Sequence, residues 1–183
     1  MITLCQSLLS IFLDEVNNSM ETITVIADGK KEKYEELLPQ LEALIGDEKD
    51  LIASMANISA ALKTTFSFYS WVGFYRMEKE ELVLGPFQGK VACVRIKVGN
   101  GVCGTAAKEK KTIVVPDVNR FPGHIACDPE SKSEIVVPMI RDGNIFGVID
   151  VDSDRLNSFD KIDQVYLEEI AGIVARKFYH HHN

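Results

Sequence analysis

Up to Thr64 the apolar residues recur at helical spacing, and from Ser70 they recur every second residue. That change of period restricts the chain to folds in which helices precede a sheet. Lys31 to Ile45 carries Tyr34, Leu37, Leu38, Leu41, Leu44 and Ile45, with Pro39 expected to kink or split the helix. Gly46-Asp47 reads as a stop and a cap. A second helix over residues 50–64 follows, with Ile52, Met55, Ile58 and Leu62 among its apolar positions. In the strand from Ser70 to Met77, Trp71, Gly73 and Tyr75 fall on one face and Val72, Phe74 and Arg76 on the other. Leu82 to Leu84 reads as a short strand closed by Gly85-Pro86, and Cys93 to Val98 as another. Val102 to Lys110 reads as a short helix and Thr112 to Val115 as a strand, and a long polar loop runs from Asn119 to Ser133. A hairpin of residues 134–140 and 144–152 turns at Arg141-Asp142-Gly143, and Phe159 to Phe178 forms a closing amphipathic helix. Hairpin strands between terminal helices predict an α+β domain: an antiparallel sheet with the helices of both chain ends packed on one face.

A chain of 183 residues fits one domain. Residues 1–28 read as an N-terminal extension in which Thr22 to Ile26 has some strand character. Residues 29–178 form the domain, and residues 179–183, with three histidines, a tail. The 20 basic and 27 acidic residues leave a net charge of −7, which lacks the basic footprint of a nucleic-acid binder. No stretch approaches the ~20 apolar residues of a membrane span. The apolar start has no basic region before it, so no secretory signal is expected. Four cysteines are too few for a disulfide scaffold and point to a reducing, cytoplasmic compartment.

Three of those cysteines, Cys93, Cys103 and Cys127, fall beside small or turn-forming residues. Cys103 opens a predicted helix after a Gly-rich turn, where a helix N-terminus favours the thiolate. Cys127 sits in the long loop, three residues after His124. The plainer alternative makes all three small core residues. A zinc site of Cys93, Cys103, Cys127 and His124 is disfavoured, because no two cysteines have the close spacing of structural zinc ligands. No metal is therefore expected. Asp150 and Asp152 share one strand face, with Glu134 on the hairpin partner. Carboxyls that close cannot easily all ionise, so one can hold a proton near neutral pH.

Six segments, in order, carry a resemblance: Trp71-Val72-Gly73-Phe74-Tyr75, the run from Leu84 to Cys93, and Gly99 to Ala106 are followed by Gly123 to Asp128, Ser131 to Pro138 and Gly147 to Ser153. Together, over about residues 30–178, the chain resembles the free methionine-(R)-sulfoxide reductases, enzymes built on a single GAF domain. The resemblance implies that Cys127 attacks the sulfoxide sulfur and becomes a sulfenic acid. It implies that Cys103 resolves this as a disulfide, with Cys93 an auxiliary thiol, and that thioredoxin is the reductant, with no bound cofactor. Glu134 and Asp152, with Asp150 beside them, become candidates for the acid at the sulfoxide oxygen and for the partner of the substrate ammonium. Trp71 and Tyr75 become an apolar wall for the S-methyl group, and backbone N–H groups near Cys93 and Cys103 a seat for the carboxylate. A homodimer is also implied. Cys5 matches nothing in the family and reads as a bystander. The rival reading, a non-catalytic GAF-type sensor of a small ligand or redox state, shares the fold.

Overall fold

The computed structural model describes residues 22–123 and 128–178. Its six strands are β1 (Trp71–Glu78), β2 (Glu81–Gln88), β3 (Arg95–Lys97), β4 (Ile113–Val115), β5 (Ser133–Arg141) and β6 (Asn144–Ser153). They form one antiparallel sheet in the order β3-β2-β1-β6-β5-β4. The helices are α1 (Lys30–Leu44), α2 (Leu51–Thr65), α3 (Gly101–Glu109) and α4 (Lys161–Phe178). None of these helices is long and apolar enough to cross a membrane.

The alternation in β1 sorts the core into two. Val72 and Phe74 face α1, α2 and α4, where they join Tyr34, Leu41, Leu62, Ile149 and Leu167. Trp71 and Tyr75 face the other way, into a smaller cluster with Val102, Ala106, Val136 and Val148. The α+β antiparallel architecture is as expected, and the helices of both chain ends share one face. The three long helices cover one side, and α3 packs on β5 and β6 from the other. Nine residues make too short a helix to hold itself together in water, so α3 depends on that packing. Its buried Val102, Ala106 and Ala107 supply it.

Three local expectations change. Pro39 does not divide α1, because buried Tyr34, Leu37 and Leu41 on both sides of it hold one continuous helix against the core. Gly85-Pro86 does not close β2. The pairing shifts between Gly73↔Phe87 and Tyr75↔Leu84, leaving Gly85 and Pro86 opposite Phe74 alone. A bulge of this kind accommodates a proline, which has no N–H to give the ladder. Residues 22–28 form no strand. They run beside α1, where Thr24 N–H donates to Gln40 Oε1 and Gln40 Nε2 donates to Thr24 O, each at 2.8 Å. The hairpin at Asp142-Gly143 forms as expected, with φ of 52° and 75° at the two turn residues.

Strand β6 lies between β1 and β5. Its register sets Asp152 against Trp71 on one side and Glu134 on the other, and Asp150 against Gly73 and Val136. The sheet thus brings the carboxylates, the aromatic wall and α3 together on the face that the long helices leave open.

Candidate active site

The pocket on that face has an acidic floor. Cys103 Sγ and one carboxylate oxygen each of Glu134 and Asp150 lie within 4.8 Å of one another. Cys103, Glu134 and Asp150 are 4%, 6% and 7% exposed, so the three groups meet almost without water. Burial is the main cause that raises the pKa of Glu134 and of Asp150 well above the usual carboxylate range, and the neighbouring carboxyls add to it. Asp152 sits nearer the mouth. Burial pushes it up to about 6, while a hydrogen bond from Ser131 Oγ (2.5 Å) pulls the other way. Burial and the neighbouring charge thus favour the protonated form of the floor carboxyls. Asp150 Oδ1 is buried and accepts no hydrogen bond among the described residues. An acceptor left so is costly unless a donor arrives.

The walls are aromatic. Trp71 stacks on Phe87 at 5.3 Å between ring centroids and lies 6.2 Å from Tyr75. Gly73 makes this possible, since a Cβ there would stand 2.7 Å from the Trp71 ring and 2.4 Å from Phe87 Cβ. The polar ends of both aromatic side chains hold the loop between β2 and β3. Trp71 Nε1 donates to Lys90 O and Tyr75 OH donates to Cys93 O, both at 3.0 Å. Sequence reasoning assigned these residues only an apolar surface. The indole N–H and the phenol, which seek partners when buried, were the available signal for this second role.

At the far side, Asn100, Gly101 and Val102 line the pocket at the start of α3. No side chain caps this helix, and Gly101 has a φ of 60°. Its first N–H groups thus border the cavity, as a seat for an anion requires. Asp128, Ser131, Val91 and Ala92 complete the mouth.

The cysteines do not match their expected states. Cys103 is a free thiol, and the thiolate expected from its place at a helix start is not favoured. Burial, then the facing Asp150 and Glu134, raise its pKa well above the ordinary thiol value and outweigh the helix dipole. Cys93 is disulfide-bonded, and Cys103 is not its partner. The disulfide expected at Cys103 is thus found at Cys93 instead. His124 and the expected nucleophile Cys127 lie outside the described residues, as do Cys5 and the tail. Ser131 and Asp128 are pocket residues that sequence reasoning did not single out, and Phe87 backs the Trp71 ring from outside the lining.

The GAF domain family matches residues 47–177. The free methionine-R-sulfoxide reductase of Saccharomyces cerevisiae is 47% identical over 156 residues, which cover 81% of this chain and 87% of that protein. The chain belongs to the free methionine-R-sulfoxide reductase family. The reductase of the same name from Escherichia coli is 45% identical over 142 residues, covering 78% of this chain and 86% of that protein. The crystal structure of the free methionine-R-sulfoxide reductase from Neisseria meningitidis in complex with its substrate superposes with a TM-score of 0.85. It is 47% identical and covers 87% of this chain and 96% of that one. The sheet, the acidic floor and the α3 start all fall inside the matched residues. Helix α1 lies N-terminal to the GAF match, yet its Tyr34, Leu37 and Leu41 are integral to the larger core.

Proposed function

We propose that this protein reduces free methionine-(R)-sulfoxide to methionine through cysteine chemistry, with a disulfide formed in each turnover. The observation that carries the proposal is a pocket with buried, mutually close carboxyls at its floor and a disulfide-bonded cysteine in the loop over its mouth. A sensor of a small ligand has no use for that disulfide, and a sensor of redox state has none for a pocket with an acidic floor.

The substrate sulfur, methyl group and oxygen lie against the wall formed by Trp71 and Tyr75. The Cys127 thiolate attacks sulfur while a carboxylic acid of the Glu134–Asp150–Asp152 cluster gives its proton to the oxygen, a poor leaving group until protonated. The hydroxyl passes from the substrate sulfur to the Cys127 sulfur as the bond between the two sulfurs breaks, so methionine departs with that electron pair and Cys127 holds the sulfenic acid. Cys93 then attacks that sulfur, forming the S–S bond and releasing water. A protein dithiol such as thioredoxin, in a reducing compartment such as the cytoplasm, returns both cysteines to thiols. Cys103 stays protonated beside Asp150 throughout. The unpartnered Asp150 Oδ1 suits the substrate ammonium, and the uncapped start of α3 suits its carboxylate. Methionine sulfoxide within a polypeptide has neither charge, so free-amino-acid selectivity follows.

The test is methionine formation from the separated R and S epimers, with thioredoxin recycling, for the parent, Cys127→Ser and Cys93→Ser. R-selective turnover lost in Cys127→Ser, and one methionine per chain without recycling in Cys93→Ser, are expected. Folded, reduced parent protein that turns over neither epimer would leave the sensor reading in its place.

A further inference from the structure

The loops that carry the proposed pair of cysteines are joined by charge. Lys90 stands three residues before Cys93, and Asp128 directly follows Cys127. Lys90 Nζ lies 3.3 Å from Asp128 Oδ2 and also pairs with Glu130 Oε2. Neither loop is otherwise free at these points. The main chain of Lys90 is held by Trp71 Nε1, and the 128–130 turn runs into Ser131 and Lys132, whose hydroxyl and N–H donate to Asp152 Oδ1 and Ser153 O of β6. The ion pair therefore connects two anchored loops across the pocket mouth, and it is present in a structure whose Cys93 is already in a disulfide.

We propose that Lys90 is a positioning residue that ties the Cys93 loop to the 128–130 turn, so that sulfenic acid and resolving thiol meet. The inference rests on the cysteine mechanism proposed above. In the step concerned, the Cys93 sulfur bonds to the Cys127 sulfur, the S–O bond breaks, and the hydroxyl leaves with the thiol proton as water. No outside oxidant enters. An intramolecular step of this kind depends on how often the two groups are within reach, and a contact that joins the Lys90 and Asp128 ends of the two loops favours that arrangement. The Lys90 and Glu130 side chains are 58% and 72% exposed, so the tie is weak and salt-sensitive, and its loss is expected to slow the step about two- to fivefold.

The experiment is a single turnover without recycling reductant. Fully reduced parent, Lys90→Met and Lys90→Arg are mixed with excess free methionine-(R)-sulfoxide and quenched in acid at intervals. Methionine is measured by chromatography and the disulfide by mass after alkylation, at low and at high salt. Lys90→Met is expected to release methionine at the parent rate but to form the disulfide about two- to fivefold more slowly at low salt. A dimedone-trapped sulfenic acid should accumulate between the two events. High salt should slow the parent toward the variant, and Lys90→Arg should restore the parent rate. Disulfide formation at the parent rate in Lys90→Met overturns the proposal. So does an equal slowing of methionine release, which would put Lys90 in substrate binding instead. A parent that releases no methionine would refute the mechanism itself, an outcome distinct from either.

Discussion

Replacing Asp152 by Asn should stabilise the folded protein, and by an amount that depends on pH. In the fold the Asp152 pKa rises from 3.8 to about 6, chiefly by burial. Between those values the unfolded chain has released the proton and the folded chain still holds it. The folded state therefore binds more protons, and stability falls as pH rises through this window. Above about pH 7 the whole penalty is present. The shift of about 2.2 units corresponds to about 3 kcal/mol. Asp152 keeps part of its surface toward the pocket mouth, where water screens the charge, so about 2 kcal/mol is the expected gain. Asn keeps an oxygen to accept from Ser131 Oγ, so the hydrogen bond is not the variable. Urea unfolding of parent and Asp152→Asn, both with the Cys93 disulfide intact and without substrate, is the assay. The difference should be near zero at pH 4 and rise to about 2 kcal/mol at pH 7.5, or about 4–8 °C in Tm. Turnover should fall in the same variant, because the floor loses an acid and a charge. A stability difference that is flat between pH 4 and 7.5 would refute the reasoning, since a lost contact has no such slope.

Three further outcomes are expected. Gly73→Ala should destabilise by about 1–3 kcal/mol and raise KM, because its Cβ would stand 2.4 Å from Phe87 Cβ and displace the Trp71 ring; unchanged Trp fluorescence and KM would contradict this. Lys30→Met should cost about 2–3 kcal/mol in urea unfolding with kcat/KM unchanged, because it removes the cation 2.6 Å from the fully buried Asp163 on the opposite face of the sheet. In the oxidised protein Cys103 should resist iodoacetamide at pH 8 and react once the chain is unfolded in urea, as read by mass.

The alternation from Ser70 was enough to send Trp71 and Tyr75 to one face and Val72 and Phe74 to the other, because side chains in a strand alternate whatever lies above them. Asp142-Gly143 specified its turn for an equally local reason, the positive φ that its hairpin geometry needs. Asp150 and Asp152 shared a face by the same period, and the hairpin register then set Glu134 against Asp152. Such features depend on neighbours in the chain, so they are written in it.

Other features belong to the tertiary structure alone. Pro39 and Gly85-Pro86 carry local signals to interrupt, and packing against the core and a bulge overrode both. The side of the sheet that α3 covers could not be read from a nine-residue amphipathic stretch, which has an apolar face but no record of its partner. The state of Cys103 was decided in the same way. Its place at a helix start argues for a thiolate. Burial against Asp150 and Glu134, one from each of two strands far along the chain, argues more strongly for a thiol. The ion pairs of Lys90 with Asp128 and Glu130 span 38 and 40 residues and leave no periodic trace. Backbone preference and side-chain period are local quantities, whereas desolvation and charge pairing depend on which distant groups the fold brings within a few ångströms.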